Sequence, residues 1–236
     1  MISVCMATHN GAKYIRKQLD SILPQLSLND EIVISDDGSS DETIAIVSSY
    51  QDSRIRIYNY VHPMPIPCTS IRVTMNFQNA FNHAGGNYIF ICDQDDEWAC
   101  NKIEVCLDAL KNSDLVVHNF ELCDENLNSF RKTGYQTKYP FRDFLKLRHS
   151  YFGCTMAFRR EVMSYVLPFP EKLELYDFWI GILVELKGKV AFIDEPLIKY
   201  RVRGGSVSHA VSNTIFHKIK YRLYILRNIV IRFSES

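Results

Sequence analysis

The chain has 236 residues, 47% of them hydrophobic and 23% charged, enough for a buried core in one large α/β domain with or without a short tail. Its 27 basic and 27 acidic residues cancel, so nothing global attracts nucleic acid. Seven scattered cysteines without a Cys-x-x-Cys pair point to buried reduced thiols and argue against a disulfide framework or a zinc site.

Ile2 to Ala7 is an apolar run of the kind a buried strand shows, and Thr8-His9-Asn10-Gly11 is a turn after it. Ile15, Leu19, Ile22 and Leu23 give Ala12 to Leu23 a helical period, which Pro24 stops. Glu31 to Ser35 is a second apolar strand, followed by the polar turn Asp36-Asp37-Gly38-Ser39-Ser40 and a helix over Glu42 to Tyr50. Arg54 to Tyr60 alternates as a third strand and leads into a loop with Pro63, Pro65 and Pro67. Val73 to Ala84 reads as a helix ended by Gly85-Gly86, and Asn87 to Cys92 as a wholly apolar fourth strand.

The second half is less regular. Helices are expected over Ile103 to Leu110, Phe141 to Leu147, Arg160 to Leu167 and Tyr176 to Leu186, and strands over Asp114 to His118, Cys154 to Phe158, Val190 to Ile193 and Leu197 to Arg201. Phe120 to Lys138 is polar and reads as a hairpin or loop. This alternation predicts an α/β fold: a Rossmann-like, mostly parallel central sheet with helices on both faces. The N-terminal residues carry no basic, apolar leader pattern, and no apolar run reaches the roughly 18 residues of a membrane span. The expectation is a cytoplasmic protein.

Ligands of open α/β sheets bind beyond the carboxyl ends of the strands. Two acidic clusters fall there: Asp36 and Asp37 after the second strand, and Asp93, Asp95, Asp96 and Glu97 after the fourth. Carboxylates this close repel, and a hard divalent cation such as Mn²⁺ or Mg²⁺ removes the conflict while clamping a diphosphate. The competing reading is a solvated acidic turn that caps a helix from Trp98 to Leu110. No Gly-x-Gly-x-x-Gly follows the first strand, and neither a P-loop nor a Gly-x-Ser-x-Gly motif occurs. An Asp-x-Asp phosphatase wants its pair after the first strand, where this chain has Thr8-His9-Asn10.

Seven motifs stand in order over residues 1–209: Ile2-Ser3-Val4-Cys5-Met6-Ala7-Thr8-His9-Asn10; Asp36-Asp37-Gly38-Ser39; Asn76-Phe77 before Gly86-Asn87-Tyr88-Ile89; Asp93-Gln94-Asp95-Asp96-Glu97-Trp98 with Lys102; Gly153-Cys154-Thr155-Met156-Ala157-Phe158; Tyr176-Asp177-Phe178-Trp179; and Glu195-Pro196-Leu197-Ile198-Lys199-Tyr200-Arg201. In this series the chain resembles the family 2 glycosyltransferases with their GT-A fold, nucleotide-sugar half over 1–100 and acceptor half over 101–209. The Asp-Gln-Asp-Asp and Gly-Cys-Thr forms are similar to the rhamnosyltransferase-like branch, which builds bacterial surface polysaccharides such as O-antigen and capsule.

The resemblance implies an inverting transfer from a nucleoside-diphosphate sugar to a saccharide acceptor. Thr8 and Asp37 would contact the nucleotide base, with Asn10, Asn76, Arg201 and Arg203 among the substrate-binding residues. Asp93 would lie near ribose and metal, Asp95 would ligate the metal, and Asp96 is open between a site role and a helix cap. Asp177 would be the catalytic base, taking the acceptor hydroxyl's proton, and Trp179 would line the acceptor site. As plain sequence, Asp37 is also a helix N-cap candidate and Asp177 an ordinary first-turn acid. Two residues depart from the branch: Tyr176 and Arg203 stand where it usually has His. Arg203 can bind phosphate bidentately but not a metal, and His209 nearby is a substitute candidate. The alternative reading is a nucleotide-sugar-binding module with impaired catalysis.

Residues 210–236 are expected to form a basic amphipathic helix. Ile215, Phe216, Ile219, Leu223, Leu226, Val230 and Phe233 fall within about 100° on a helical wheel, with Lys218 and Arg222 along one edge and Lys220 and Arg227 along the other. The stripe suits peripheral contact of residues 213–233 with the cytoplasmic face of an anionic inner membrane, or packing on its own domain or a second subunit. A membrane contact fits an acceptor anchored to polyprenyl diphosphate, which the resemblance implies.

Overall fold

The computed structural model describes residues 1–61, 68–133, 151–202 and 215–234. The Pro-rich loop at 63–67, the helix expected over 141–147, Arg203 and His209 lie outside the described residues.

Strands β1 (Ile2–Thr8), β2 (Glu31–Asp36), β3 (Ile55–Asn59) and β4 (Tyr88–Cys92) run parallel in the order β3-β2-β1-β4. Alternate residues of each strand face opposite cores, as a pleat requires. Val4, Met6, Ile32, Ile34 and Phe90 pack with Ile15, Leu19 and Ile22 of helix α1 (Ile15–Ile22) and Val47 of α2 (Thr43–Ser48). Cys5, Val33, Ile89 and Ile91 pack with Phe77, Ala80 and Phe81 of α3 (Thr69–His83). Burial on both faces explains why these strands read as continuous apolar runs.

Beyond β4 the sheet is mixed. It continues through β8 (Met156–Arg159), β6 (Leu115–Cys123), β9 (Val190–Arg201) and β5 (Glu97–Trp98), with β7 (Ser129–Thr133) paired to β6. β8 is antiparallel to both β4 and β6, β6 and β9 are parallel, and β5 is antiparallel to β9. The polar segment after Phe120 is thus the hairpin of β6 and β7. The two strands expected at 190–193 and 197–201 are one strand whose register against β6 shifts where Pro196 faces Asn119. Pro196 lacks a donor and marks an irregularity there, not a strand end.

Trp98 lies in β5, and helix α4 (Lys102–Leu110) starts only after it. Asp96 is therefore six residues from the helix and does not cap it. The short helix α5 (Met163–Val166) is followed by α6 (Tyr176–Lys187), which is apolar nearly all round and buried. C-terminal helix α7 (Ile215–Ser234) lays Tyr221, Ile225 and Ile229, spaced at i and i+4, onto the core that contains α6. Ile215, Ile219, Leu223, Leu226 and Val230 stay exposed on another side. Phe233, expected in that outer stripe, packs instead toward the core with Lys187 Nζ 4.9 Å from its ring. The helix therefore has two apolar faces, one of which its own domain covers.

Candidate active site

The carboxyl ends of β1, β2 and β4 lie side by side, with Thr8 beside Asp36 and Met6 beside Cys92. Three loops leave these ends and latch onto one another. Thr8, 1% exposed, donates from Oγ1 to Asp36 Oδ1 at 2.7 Å. Asp36 also accepts from Ser39 N at 2.8 Å and Ser39 Oγ at 2.6 Å, closing a turn in which Gly38 has φ +66°, a conformation suited to glycine. Asn10, itself at φ 49°, accepts at Oδ1 from Ser40 N at 2.8 Å, and Asn10 N donates to Ser39 Oγ at 2.9 Å. Asn76 Nδ2 donates to Thr8 O at 3.3 Å, and its buried Oδ1 has no hydrogen-bond partner among the described residues. Asp37 N donates to Thr8 O at 2.9 Å, while Asp37 Oδ2 pairs with Arg72 Nη2 at 2.7 Å.

The loop after β4 joins through Gln94. Its Oε1 accepts from His9 N at 3.0 Å and its Nε2 donates to His9 O at 2.9 Å. Gly11 leaves the space for this pairing, since a Cβ there would overlap Gln94 Oε1. Thr8, Asn10, Asp37 and Asn76 are thus brought together at one rim with Asp93 next to it.

Beneath that rim lies the acidic turn. Ligand atoms of Asp93, Asp96 and Cys154 all lie within 4.8 Å of one another. The sequence expects the pair Asp93 and Asp95, whereas the geometry groups Asp93 with Asp96. Arg201 holds the turn in this form: its N–H donates to Asp96 Oδ1 at 3.0 Å and its Nε to Asp95 O at 2.7 Å, while its guanidinium lies 4.7 Å over the Tyr14 ring. Asp96 is 2% exposed, and its Oδ2 has no hydrogen-bond partner among the described residues. Burial, then the charges of Asp95 and Asp93, push its carboxyl well above the usual carboxylate range. Lys102, fully buried, sits below with Nζ donating to Cys154 O at 2.8 Å and lying 4.0 Å over the Trp98 ring. Burial pushes its ammonium down and the Cys154 thiol well up. A neutral thiol is a poor ligand for a hard cation, so the oxygens of Asp93 and Asp96, with Asp95 adjacent, are the donor set that fits one. The unpartnered Asp96 Oδ2 is the atom such a cation would satisfy.

The other wall is the N-terminus of α6. Tyr176 is 8% exposed, its ring 4.5 Å from that of Phe77, and its hydroxyl fills the space that Gly153 leaves open. Burial first, then the charges of Asp93 and Asp177, push its phenol well up. Gly153-Cys154 thus links the acidic turn and the α6 terminus, with Gly153 against Tyr176 and Cys154 against Asp93 and Asp96. Asp177 is half-buried, its Oδ1 accepting from Phe178 N at 2.7 Å. Trp179 is fully buried and donates from Nε1 to Val166 O at 2.9 Å. A residue two positions on from Asp177 points to a different side of the helix.

The family model for glycosyl transferase family 2 matches residues 3–167. The chain belongs to this family. A β-1,3-glucosyltransferase of Escherichia coli that is named for UDP-Glc and α-D-GlcNAc-diphosphoundecaprenol, WfgD, is 28% identical over 88% of this chain and 79% of its own. The dTDP-rhamnosyl transferase RfbG of Shigella flexneri is 28% identical over 94% of this chain and 79% of its own. Among solved structures, Staphylococcus aureus TarS 1–349 in complex with UDP-GlcNAc has a TM-score of 0.71 at 18% identity, over 98% of this chain. The chain spans 66% of that structure's length. This likeness shows the GT-A fold, and further structures of that fold were solved with Mn²⁺ and a nucleotide or nucleotide sugar.

Arg72 and Cys154 gave no ligand-site signal in the sequence. Arg72 meets Asp37 from 35 residues away and Cys154 meets Asp93 from 61, distances that local spacing does not encode. Arg203, expected to touch substrate, lies outside the described residues.

Proposed function

We propose that this chain is an inverting glycosyltransferase. It moves a hexose or deoxyhexose from a UDP- or dTDP-linked donor to a saccharide acceptor carried on polyprenyl diphosphate, in the synthesis of O-antigen, capsule or another surface polysaccharide. The observation that carries this reading is the grouping of Asp93 and Asp96 at Cys154, next to Gly153, which the buried Tyr176 touches at the start of the helix that carries Asp177. In this reading Asp93 and Asp96 serve the leaving diphosphate and Asp177 serves the arriving acceptor.

In this reading the base docks on the rim formed by Thr8, Asn10, Asp37 and Asn76, with Asp37 accepting from a ring N–H and Arg72 holding that carboxylate in place. Asp93 and Asp96, with Asp95 adjacent, would hold a divalent cation, Mn²⁺ or Mg²⁺, which would supply positive charge to offset the leaving diphosphate. Arg201 Nη2, buried without a hydrogen-bond partner among the described residues, is a donor available to a phosphate oxygen, and Arg203 follows it as a second phosphate ligand. Asp177 takes the acceptor proton as attack proceeds. Tyr176 packs between the two halves and keeps water from the space behind them.

The test is donor binding and hydrolysis over UDP-, dTDP- and GDP-sugars with Mn²⁺, Mg²⁺ or EDTA. One sugar nucleotide is expected to bind and to turn over only with metal. Binding without turnover for every donor and lipid-linked acceptor would move the assignment to a nucleotide-sugar-binding module, and no binding at all would remove the site.

The acceptor's lipid places the work at a membrane surface, on the cytoplasmic face of the inner membrane. Among the described residues no helix is long and apolar enough to cross a membrane. The outer stripe of α7 supports a peripheral contact. Ile215, Ile219, Leu223, Leu226 and Val230 are exposed within about 80° of a 3.6-residue wheel, on a helix that has five Lys or Arg residues and no carboxylate. The protein is expected to sediment with vesicles that contain an anionic phospholipid and not with purely zwitterionic ones. Leu223→Asp with Val230→Asp should release it with an unchanged melting temperature, because those side chains are 62% and 67% exposed. Equal sedimentation of the double variant would sink the lipid contact.

A further inference from the structure

We infer that Tyr221 of α7 is a positioning residue for Asp177, holding the N-terminus of α6 with a hydroxyl supplied from another helix. The inference rests on the base role proposed for Asp177. Helix α6 opens without a side-chain cap: Leu175 at its N-cap offers no acceptor. The first N–H groups of a helix lack intrahelical partners and must find acceptors elsewhere. Here Tyr221 Oη accepts from Leu175 N at 3.0 Å and from Glu174 N at 3.0 Å. The tyrosine is 7% exposed, so water does not substitute for it.

The rest of the inner face of α7 grips the same stretch of chain. Tyr224 Oη accepts from Lys172 N at 3.1 Å, His217 Nε2 lies 3.4 Å from Glu174 Oε2, and Arg232 donates to the carbonyls of Leu167 and Pro168. Every one of these contacts lands on residues 167–174, the connection that decides where α6 begins. Tyr221 bonds the backbone at the helix start, with Asp177 two residues beyond Leu175, while Arg222 and Arg232 lie over the Phe178 and Trp179 rings of the first turn. The nucleotide rim and the acidic turn are built instead at the ends of β1, β2 and β4. Tyr221 should thus act on the acceptor side of the reaction and not on donor binding.

The experiment compares wild type, Tyr221→Phe, Tyr224→Phe and Asp177→Asn, with rates referred to the folded fraction. Phe keeps the packed ring and removes the acceptor of two buried N–H groups. Y221F is expected to lower kcat about 10- to 100-fold, since misplacement by about 1 Å costs on that scale, while the donor Kd stays within about twofold of wild type. Y224F, which loses one N–H bond outside α6, should keep kcat. Hydrogen exchange at 174–178 should quicken in Y221F and not in Y224F. If D177N is inactive while Y221F turns over like wild type, Tyr221 positions nothing. If Y221F loses donor binding along with kcat, its role is general folding and the inference also fails. If D177N keeps full activity, the base assignment itself is wrong, whatever Y221F does.

Discussion

Asp177→Asn is expected to cut transfer by roughly 10²- to 10⁴-fold, the range removed with a general base, or about 3–5 kcal/mol in the barrier. The substitution is well matched to the question because it preserves the local structure. Asp177 Oδ1 accepts from Phe178 N at 2.7 Å, and an Asn oxygen accepts equally well. Asn keeps the size of the side chain in its half-buried position and loses the negative charge and with it the ability to take a proton. Donor affinity should hold within about twofold, because the nucleotide rim is built on other strands, as the Thr8 and Asp37 contacts show. Single-turnover transfer to a lipid-linked acceptor, measured beside equilibrium binding of the donor, separates the two quantities. A variant that binds donor and transfers within tenfold of wild type would falsify the base role and leave Asp177 as a first-turn acid that stabilises α6.

The first half of the fold is legible in the sequence because each element there has one dominant cause. Val4, Met6, Ile32, Ile34, Phe90 and Ile91 are apolar on both faces of a parallel sheet, and the turns after them are marked by Gly11, Gly38 and paired carboxylates. The second half is mixed, and its cues compete. Asp194-Glu195-Pro196 reads as a break, yet β9 continues through it because β6 supplies a partner across a shifted register. The α7 stripe is legible as periodicity, but which face meets the protein is set by Tyr221, Ile225 and Ile229 against a core that only the fold assembles. Asp93 and Asp177 stand out in the sequence through their motifs. Whether Asp96 caps a helix or joins Asp93 is not legible there, because that turns on β5 intervening before α4. Trp179 follows the same logic: its motif neighbour Asp177 is half-buried, and helical geometry sends Trp179 into the core.

Replacing Asp93 with Asn is expected to abolish metal-dependent turnover while making the metal-free protein more stable. In the structure Asp93 and Asp96 offer oxygens within 4.8 Å of each other, and Asp95 adds its charge from the same turn. Lys102 adds positive charge that lowers the Asp96 carboxyl less than its burial and the charges of Asp95 and Asp93 raise it, and its Nζ donates to Cys154 O. Without a cation, Asp93→Asn removes one of the charges that repel the buried Asp96, and the melting temperature in EDTA should rise above that of wild type. With a cation the order reverses. Wild type gains about 2.7 kcal/mol at a metal concentration 100 times its Kd, and the variant, having lost a ligand, gains far less. Its metal affinity should fall by more than about 100-fold, beyond the loss caused by removing an outer partner of a ligand. Melting curves of both proteins in EDTA and across an Mn²⁺ titration read this crossing directly. If Mn²⁺ raises both melting temperatures equally, the cation binds elsewhere. If Asp93→Asn lowers the melting temperature in EDTA, the acidic turn is held by hydrogen bonds of Asp93 and not strained by its charge.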